Sequence, residues 1–515
     1  MDVNILLTLA DSSILLIDNN FVILLSTMSD PNTKQEVSFF QALVPLLFFM
    51  VIFVYGLFVQ PVLMDAGSMP LGVLIIMAFS FSTIYLMMLG FTWEKIQEHI
   101  VKKVGESVNV ILILFSIGVL IGAWIICGTI PMLIYYGISW IDGDWIYIFS
   151  FLICIVFSLL TGTSWGSAGT IGIVMMGIAE VYNADLCITA AAIVGGSFFG
   201  DKMSPLSDTT NVASLATDVP LFQHINSMLY TTGPAAILAG IVYIVLSPGL
   251  SGEQLAHTKP EMIDNTLLAL RSIFNFNVLL LTPIVVVVWG AVTKKPIVLT
   301  LLCSAWLAMI IALIFQTFSF SDIVNSFNKG FSVSMAKGYT GDAAVLNILN
   351  RGGLYNLIDG IVSCFLIFAF IGTLDVINAI DVVIKNIMYK IRTKRQTVVA
   401  ALTSTLITNM TTSNQYATSF IIGEAFKKKF DKMGINRKVL SRSIEDAGTM
   451  MENLAPWTPS GIFMASTLGI TSVQYAPYQF MSLFNIVIAY FLAMTGIACF
   501  YNTGKEETKS IKDNG

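Results

Sequence analysis

Residues 195–214 read GGSFFGDKMSPLSDTTNVAS, deep in a 515-residue chain that is 56% hydrophobic and only 11% charged. Asp201, Lys202 and Asp208 fall within this short stretch, beside Pro205 and a run of hydroxyl side chains. An ionised side chain at the centre of a bilayer costs at least about 2.5–3.5 kcal/mol, so such residues face a cavity and serve a function. Glycine and proline inside a spanning segment release backbone groups from the helix ladder. The stretch therefore reads as a membrane helix that breaks around a polar site.

The chain around it supports a membrane setting. Mean hydropathy is +0.79, whereas soluble domains carry about 25% charged residues. Apolar stretches recur that can cross a hydrocarbon core of roughly 30 Å. The expected fold is an all-α polytopic membrane protein. Clean spans are expected at 37–60, 70–90, 108–128, 224–247, 274–293, 296–317, 358–379 and 478–502. Residues 144–181 form two apolar arms around TGTSWGS, and 396–426 form two arms around TNMTTSNQ. Such arms suggest re-entrant hairpins, which are tolerated when the tip is buried in protein or lined by water. Each hairpin precedes a helix that breaks, within 184–217 at GDKMSPLSDTT and within 439–462 at GTMMENLAPWTPSG.

The two halves repeat one order of elements. Gly200, Met203, Leu206 and Thr210 align with Gly448, Met451, Leu454 and Thr458, and at the same spacing Thr163 and Thr170 meet Thr411 and Thr418. Pro70 and Gly105 pair with Pro296 and Gly330 at a shorter spacing, so the second half carries extra residues between these blocks. The common order is span, span, amphipathic linker, span, hairpin, broken span, span. Five crossings per half is an odd number, so the second copy is expected to be inverted. The expected organisation is a cytoplasmic tail at 1–36, a first inverted repeat at 37–250, an external linker at 251–273, a second repeat at 274–502 and a cytoplasmic tail at 503–515. Residues 1–36 lack the basic start of a cleaved signal peptide. With both termini inside, most of the 27 Lys and Arg residues fall on the cytoplasmic side, as the positive-inside rule requires. They include the run Lys427, Lys428, Lys429, Lys432, Arg437 and Lys438.

Two broken helices and two hydroxyl-rich tips would together supply carboxylates, hydroxyls and freed carbonyls, ligands that suit a small hard cation such as Na⁺. The first half offers Asp201, Ser204, Ser207, Asp208 and Thr209, with Thr163 and Ser164 at its tip. The second offers Glu445, Asp446, Thr449, Glu452 and Asn453, with Thr411 and Thr412 at its tip. Asp201 and Asp208 are the expected Na⁺ ligands. Lys202 reads as a charge partner of Asp201 or Asp208, and Arg442 as the counter-ion of Glu445 and Asp446 on one helix face. Asp342, in KGYTGDAA, is either a further site acid or part of an external loop. One set of acids that holds either Na⁺ or protons couples the two flows by competition.

Other chemistries lack their parts. Gly162-Thr163-Ser164-Trp165-Gly166 satisfies G-x-S-x-G, but a catalytic elbow needs a strand–turn–helix and a histidine partner. His99, His224 and His257 are read at or beyond membrane boundaries, which argues against a histidine proton relay. The presenilin-type aspartyl pairs, HExxH and Walker A patterns do not occur, so proteolysis and ATP-driven pumping are unsupported and no cofactor, ATPase subunit or nucleic-acid partner is expected. The six cysteines show neither metal-ligand spacing nor a disulfide framework.

The 195–214 stretch closely resembles the signature of the NhaC-type sodium/proton antiporters of the ion-transporter superfamily. GTIPMLIYYGI at 128–138, TGTSWGSAGTIG at 161–172 and MENLAPWTPSG at 451–461 are similar to that family too. The resemblance covers roughly residues 40–500. It implies exchange of Na⁺ for H⁺ across a bacterial plasma (inner) membrane, inverted repeats with hairpins, and often a homodimer. It also implies ion-binding roles for Asp201, Ser204, Ser207, Asp208, Thr209, Thr163 and Ser164; the second-half acids rest on symmetry and charge. Relatives with similar motifs exchange organic acids such as malate and lactate with cations. Cation-coupled organic-acid exchange, with Arg442 and Lys202 holding a carboxylate, is therefore the alternative.

Overall fold

The computed structural model describes residues 37–64, 67–247, 260–336, 343–389 and 391–501. The tails 1–36 and 503–515, the start of the 251–273 linker, His257 and Asp342 lie outside the described residues. The described residues build a helical protein, with one isolated bridge between Ile435 and Tyr501. Eight helices are long and apolar enough to cross a membrane, or up to ten if each of two bent pairs forms one span. This is a multi-span membrane protein.

Several elements take a different form from the sequence reading. The amphipathic linker before 108–128 does not separate from it: Trp93–Ile126 is one helix of 34 residues. Thr92 caps its start by accepting from the Lys95 amide, and Glu94 suits the positive end of the helix dipole. Gly105 inside it lowers helix propensity by about 1 kcal/mol, too little to break so long a helix. The expected spans at 274–293 and 478–502 are the second members of bent pairs. Val278–Val292 follows Ile263–Ile273 at 98°, and Phe480–Thr495 follows Ser472–Tyr478 at 62°.

Both hairpins form as helix, tip, helix. Ile146–Thr161 ends at Gly162, whose φ of 69° favours glycine. Thr163 then caps the next helix by accepting from the Gly166 amide. In the second half Lys394–Thr412 ends at Ser413, with φ 48°, and Asn414 caps Gln415–Lys432 by accepting from the Ala417 amide. Asn414 is thus the counterpart of Thr163. Thr411, its partner in the sequence alignment, lies inside the first arm, because alignment by identity ignores which residue caps.

The broken helices repeat a second capping pattern. Leu186–Met203 ends, and Ser207 caps Asp208–Ala216 by accepting from the Thr210 amide. The other segment runs from Arg437–Ile444 through a π turn at Glu445–Thr449 to Met450–Glu452, and Thr458 caps Pro459–Leu468 by accepting from the Gly461 amide. Thr458 therefore corresponds to Ser207 rather than to Thr210.

Small residues let these elements approach. A Cβ on Gly196 would stand 2.3 Å from the Phe151 carbonyl oxygen, and one on Gly200 would stand 2.6 Å from the Leu159 amide. This glycine pair, four residues apart, brings Leu186–Met203 backbone to backbone with the first hairpin arm, as small residues do between membrane helices. Each hairpin also packs on the other half's post-break helix. Trp165 donates to Ser460 Oγ at 3.1 Å and stacks on Phe463 at 4.5 Å, and Gln415–Lys432 packs along Asp208–Ala216.

Candidate functional site

Asp201 and Lys202 belong to the last turn of the intact Leu186–Met203 helix, and the break begins after them, at Ser204. Their side chains diverge. Asp201 Oδ2 accepts from the Ser164 amide at 3.1 Å and from Ser164 Oγ at 2.7 Å. Ser164 opens the helix behind the first hairpin tip, so the carboxylate faces a positive helix end. Lys202 instead crosses to the second half and pairs with Asp446, in place of the expected Asp201 or Asp208. The helix directs these two consecutive side chains about 100° apart, and only the second faces the π turn.

Asp446 is enclosed. Its Oδ1 also accepts from Thr231 at 2.9 Å and from Asn485 Nδ2 at 3.0 Å, while Arg442 Nε stands 3.8 Å from Oδ2. Lys202 is fully buried and the Asp446 side chain is 1% exposed. Arg442 also donates to the carbonyls of Ser227 and Ala498. Its ion pair goes to Asp446; the expected pairing with Glu445 is not made. Glu445 is fully buried and accepts only from Thr449 Oγ1, at 2.7 Å, which leaves Oε1 without a partner.

Asp201, Glu445 and Glu452 lie within electrostatic reach of one another, and Tyr416 on the second hairpin is within reach of all three and of Asp208. Asp208 itself is exposed at the first turn of its helix. The two aspartates expected to share Na⁺ thus differ: one is buried against the hairpin tip, the other open. Among the described residues no three His, Cys, Asp or Glu side chains converge as a metal-binding group.

The remaining candidates are hydrogen-bonded to neighbouring groups. Ser204 Oγ bonds the Leu159 carbonyl, and Ser207 Oγ lies 3.1 Å from Thr209 Oγ1. Thr411 bonds back to Ile407 and Thr408 of its own helix, and Thr412 bonds Thr418 across the tip. Asn453 is tied to Ser482 and Gln479. His224 is buried, with Nδ1 2.8 Å from Ser441 Oγ. Sequence reasoning missed Asn485, Thr231, Gln415 and Tyr416. The available signal was a lone amide side chain in a largely apolar span, as Asn485 is in FMSLFNIVIAYFLAMT.

A model of the Na⁺/H⁺ antiporter family matches residues 196–497, which contain every acid of this cluster. The chain belongs to the Na⁺/H⁺ antiporter family. Family members similar to it include an uncharacterized Na⁺/H⁺ antiporter of Haemophilus influenzae, 37% identical over 84% of this chain and 92% of that one. The Na⁺/H⁺ antiporter NhaC of Alkalihalophilus pseudofirmus is 33% identical over 82% and 88%. A malate-2H⁺/Na⁺-lactate antiporter of Bacillus subtilis is 30% identical over 89% and 97%. The NhaC-type resemblance of the motifs holds across most of the chain. Within this family member the tip residues Thr163 and Ser164 lie ahead of the matched region, yet Ser164 supplies both hydrogen bonds to Asp201.

Proposed function

We propose that this chain exchanges Na⁺ for H⁺ across a bacterial plasma membrane, protons and the cation competing for buried carboxylates between its two halves. The observation that carries the reading is the setting of Asp201: a buried carboxylate held by an amide and a hydroxyl of a hairpin tip, with two further acids of the other half in electrostatic reach. Such a carboxylate takes a proton, or it takes a cation whose remaining ligands are hydroxyls and carbonyls. When Na⁺ arrives the proton leaves, and the reverse event on the other side completes the exchange. The Lys202–Asp446 pair is neutral as a unit and joins the halves around this site, so it does not compete for the cation. The repeated tip and break caps support inverted halves, and the 427–438 cluster of lysines and arginine supports a cytoplasmic location for that end.

Organic-acid exchange is the weaker reading on one specific ground. The two cations that could hold a carboxylate, Lys202 and Arg442, are already engaged with Asp446 and with carbonyls.

The test uses the purified full chain in proteoliposomes with an internal pH dye. A Na⁺ gradient is expected to move protons without malate or lactate, and Asp201→Asn is expected to abolish the response while inserting normally. Undiminished proton movement in that variant would remove Asp201 from the mechanism. A response seen only with an organic acid present would install the second reading.

A further inference from the structure

The caps allow the two halves to be compared position by position. Thr163 caps the second arm of the first hairpin and Asn414 that of the second, so Trp165 corresponds to Tyr416, each two residues after its cap. Ser207 and Thr458 cap the post-break helices, so Thr209 corresponds to Ser460 in the same way. Each hairpin's second arm runs beside the other half's post-break helix in the same direction. In one pair Trp165 meets Ser460, and a Cβ on Gly172 would stand 3.6 Å from the Leu468 side chain. In the other, a Cβ on Gly423 would stand 2.5 Å from the Ala216 carbonyl oxygen, and Lys427 pairs with Asp218. Gly423 lies seven residues after Tyr416, and Ala216 seven after Thr209. With equal rise per residue, Tyr416 and Thr209 stand at one level, as Trp165 and Ser460 do.

The two equivalent contacts are in different conditions. Trp165 Nε1 donates to the buried Ser460 hydroxyl at 3.1 Å, and its ring stacks on Phe463. Tyr416 is 45% exposed, and its hydroxyl makes no hydrogen bond among the described residues. Thr209 turns back to Ser207 Oγ, and Asp208 beside it is exposed. An ionisable side chain left exposed in a broken span faces a water-filled cavity rather than lipid. One pair is therefore closed and the other open. Repeats that rock against each other around a fixed site interchange such contacts between the two access states. Both rings bring one donor on a rigid frame, and both opposing residues bring a hydroxyl acceptor.

We propose that Trp165 and Tyr416 are matched positioning residues of the exchange cycle. Trp165 holds Ser460 while the acids are reached from one face, and Tyr416 holds Thr209 while they are reached from the other. The inference rests on the exchange reading with inverted halves, and deepens it by assigning the residues that close each path.

Na⁺-driven proton movement in right-side-out and inside-out membrane vesicles tests it, because the two preparations give the Na⁺ KM on each face. Trp165→Phe keeps a ring against Phe463 and removes only the N–H. It is expected to raise KM on the face where Asp218 lies and to lower it on the opposite face, by up to about fivefold, the scale of one neutral hydrogen bond. Tyr416→Phe removes only the hydroxyl and is expected to shift both values in the reverse sense. The double variant is expected to return both towards wild type, which two packing defects would not do. Wild-type KM on both faces in Tyr416→Phe, or shifts of the same sense in the two single variants, would overturn the pairing and leave antiport at Asp201 standing. Absence of Na⁺-driven proton movement in wild-type vesicles would instead end the exchange reading, and this inference with it.

Discussion

At the scale of single residues, Lys202 and Asp446 make a fully buried ion pair between the two halves. Both are buried, so removing one partner leaves an uncompensated charge, which costs about 3–5 kcal/mol, whereas replacing both with apolar residues is often close to neutral. Lys202→Met and Asp446→Leu are each expected to lower thermal stability of the purified chain strongly, and the double variant is expected to recover only part of the loss, because buried Arg442 also loses its acid. The check is a double-mutant cycle on unfolding temperature in detergent; additive losses would mean that the pair is not the link. Legibility at this scale was uneven. Asp201 and Lys202 stand out because charge is rare in this chain, but adjacent positions on a helix point apart. Which acid Lys202 meets depends on where the π turn of the other half lies. Asp208 was equally visible in sequence, yet it is exposed, since a residue's depth is set by what packs over it.

At the scale of elements, capping chemistry and close approach define the site. Gly162 and Ser413 end the first arms left-handed, and Thr163 and Asn414 restart the chain as helices whose first amides face inward. These tips were readable from their small, hydroxyl-rich composition, although the alignment chose Thr411 where the geometry uses Asn414. The Gly196 and Gly200 pair then brings Asp201 to the tip. Gly196→Val is expected to force Leu186–Met203 away from the Phe151 carbonyl and to lower the yield of monodisperse protein sharply by size-exclusion chromatography. Gly233→Ala is the matched control: a Cβ there meets nothing within 4 Å, so unchanged or slightly improved stability is expected. The π turn at 445–449 was not legible, because one extra residue per turn leaves no distinctive pattern in sequence.

At the scale of the whole molecule, the halves are joined at an end as well as at the centre. Asp218, after the first broken segment, meets Lys427 at 3.1 Å and Arg437 at 2.8 Å, and Arg437 also holds Asp431 at 2.7 Å. The Lys427 hydrogen bond, with Arg437 beside it, keeps the Asp218 carboxyl below its usual range. Solvent screens such exposed pairs, so this cluster marks an end of the molecule more than it stabilises it. The lysine- and arginine-rich run 427–438 that contains Lys427 and Arg437 is expected on the cytoplasmic side by the positive-inside rule. Lys432→Cys is accordingly expected to resist an impermeant thiol reagent in intact cells and to react in inside-out vesicles. Ready labelling of intact cells would reverse the orientation.

The sequence by itself determined that the chain crosses a membrane many times, that two polar hairpins and two breaks recur, and that its motifs are those of Na⁺/H⁺ antiporters. The first two follow from composition, segment length and local turn chemistry, which are encoded by neighbouring residues; the third rests on the resemblance of the motifs to that family. Only the tertiary structure decided which acid Lys202 neutralises, which tip holds Asp201, and that Glu445 is left with an unpaired oxygen. The first is a contact between residues more than two hundred positions apart, the second a contact within one half set by how its helices pack, and the third a matter of depth.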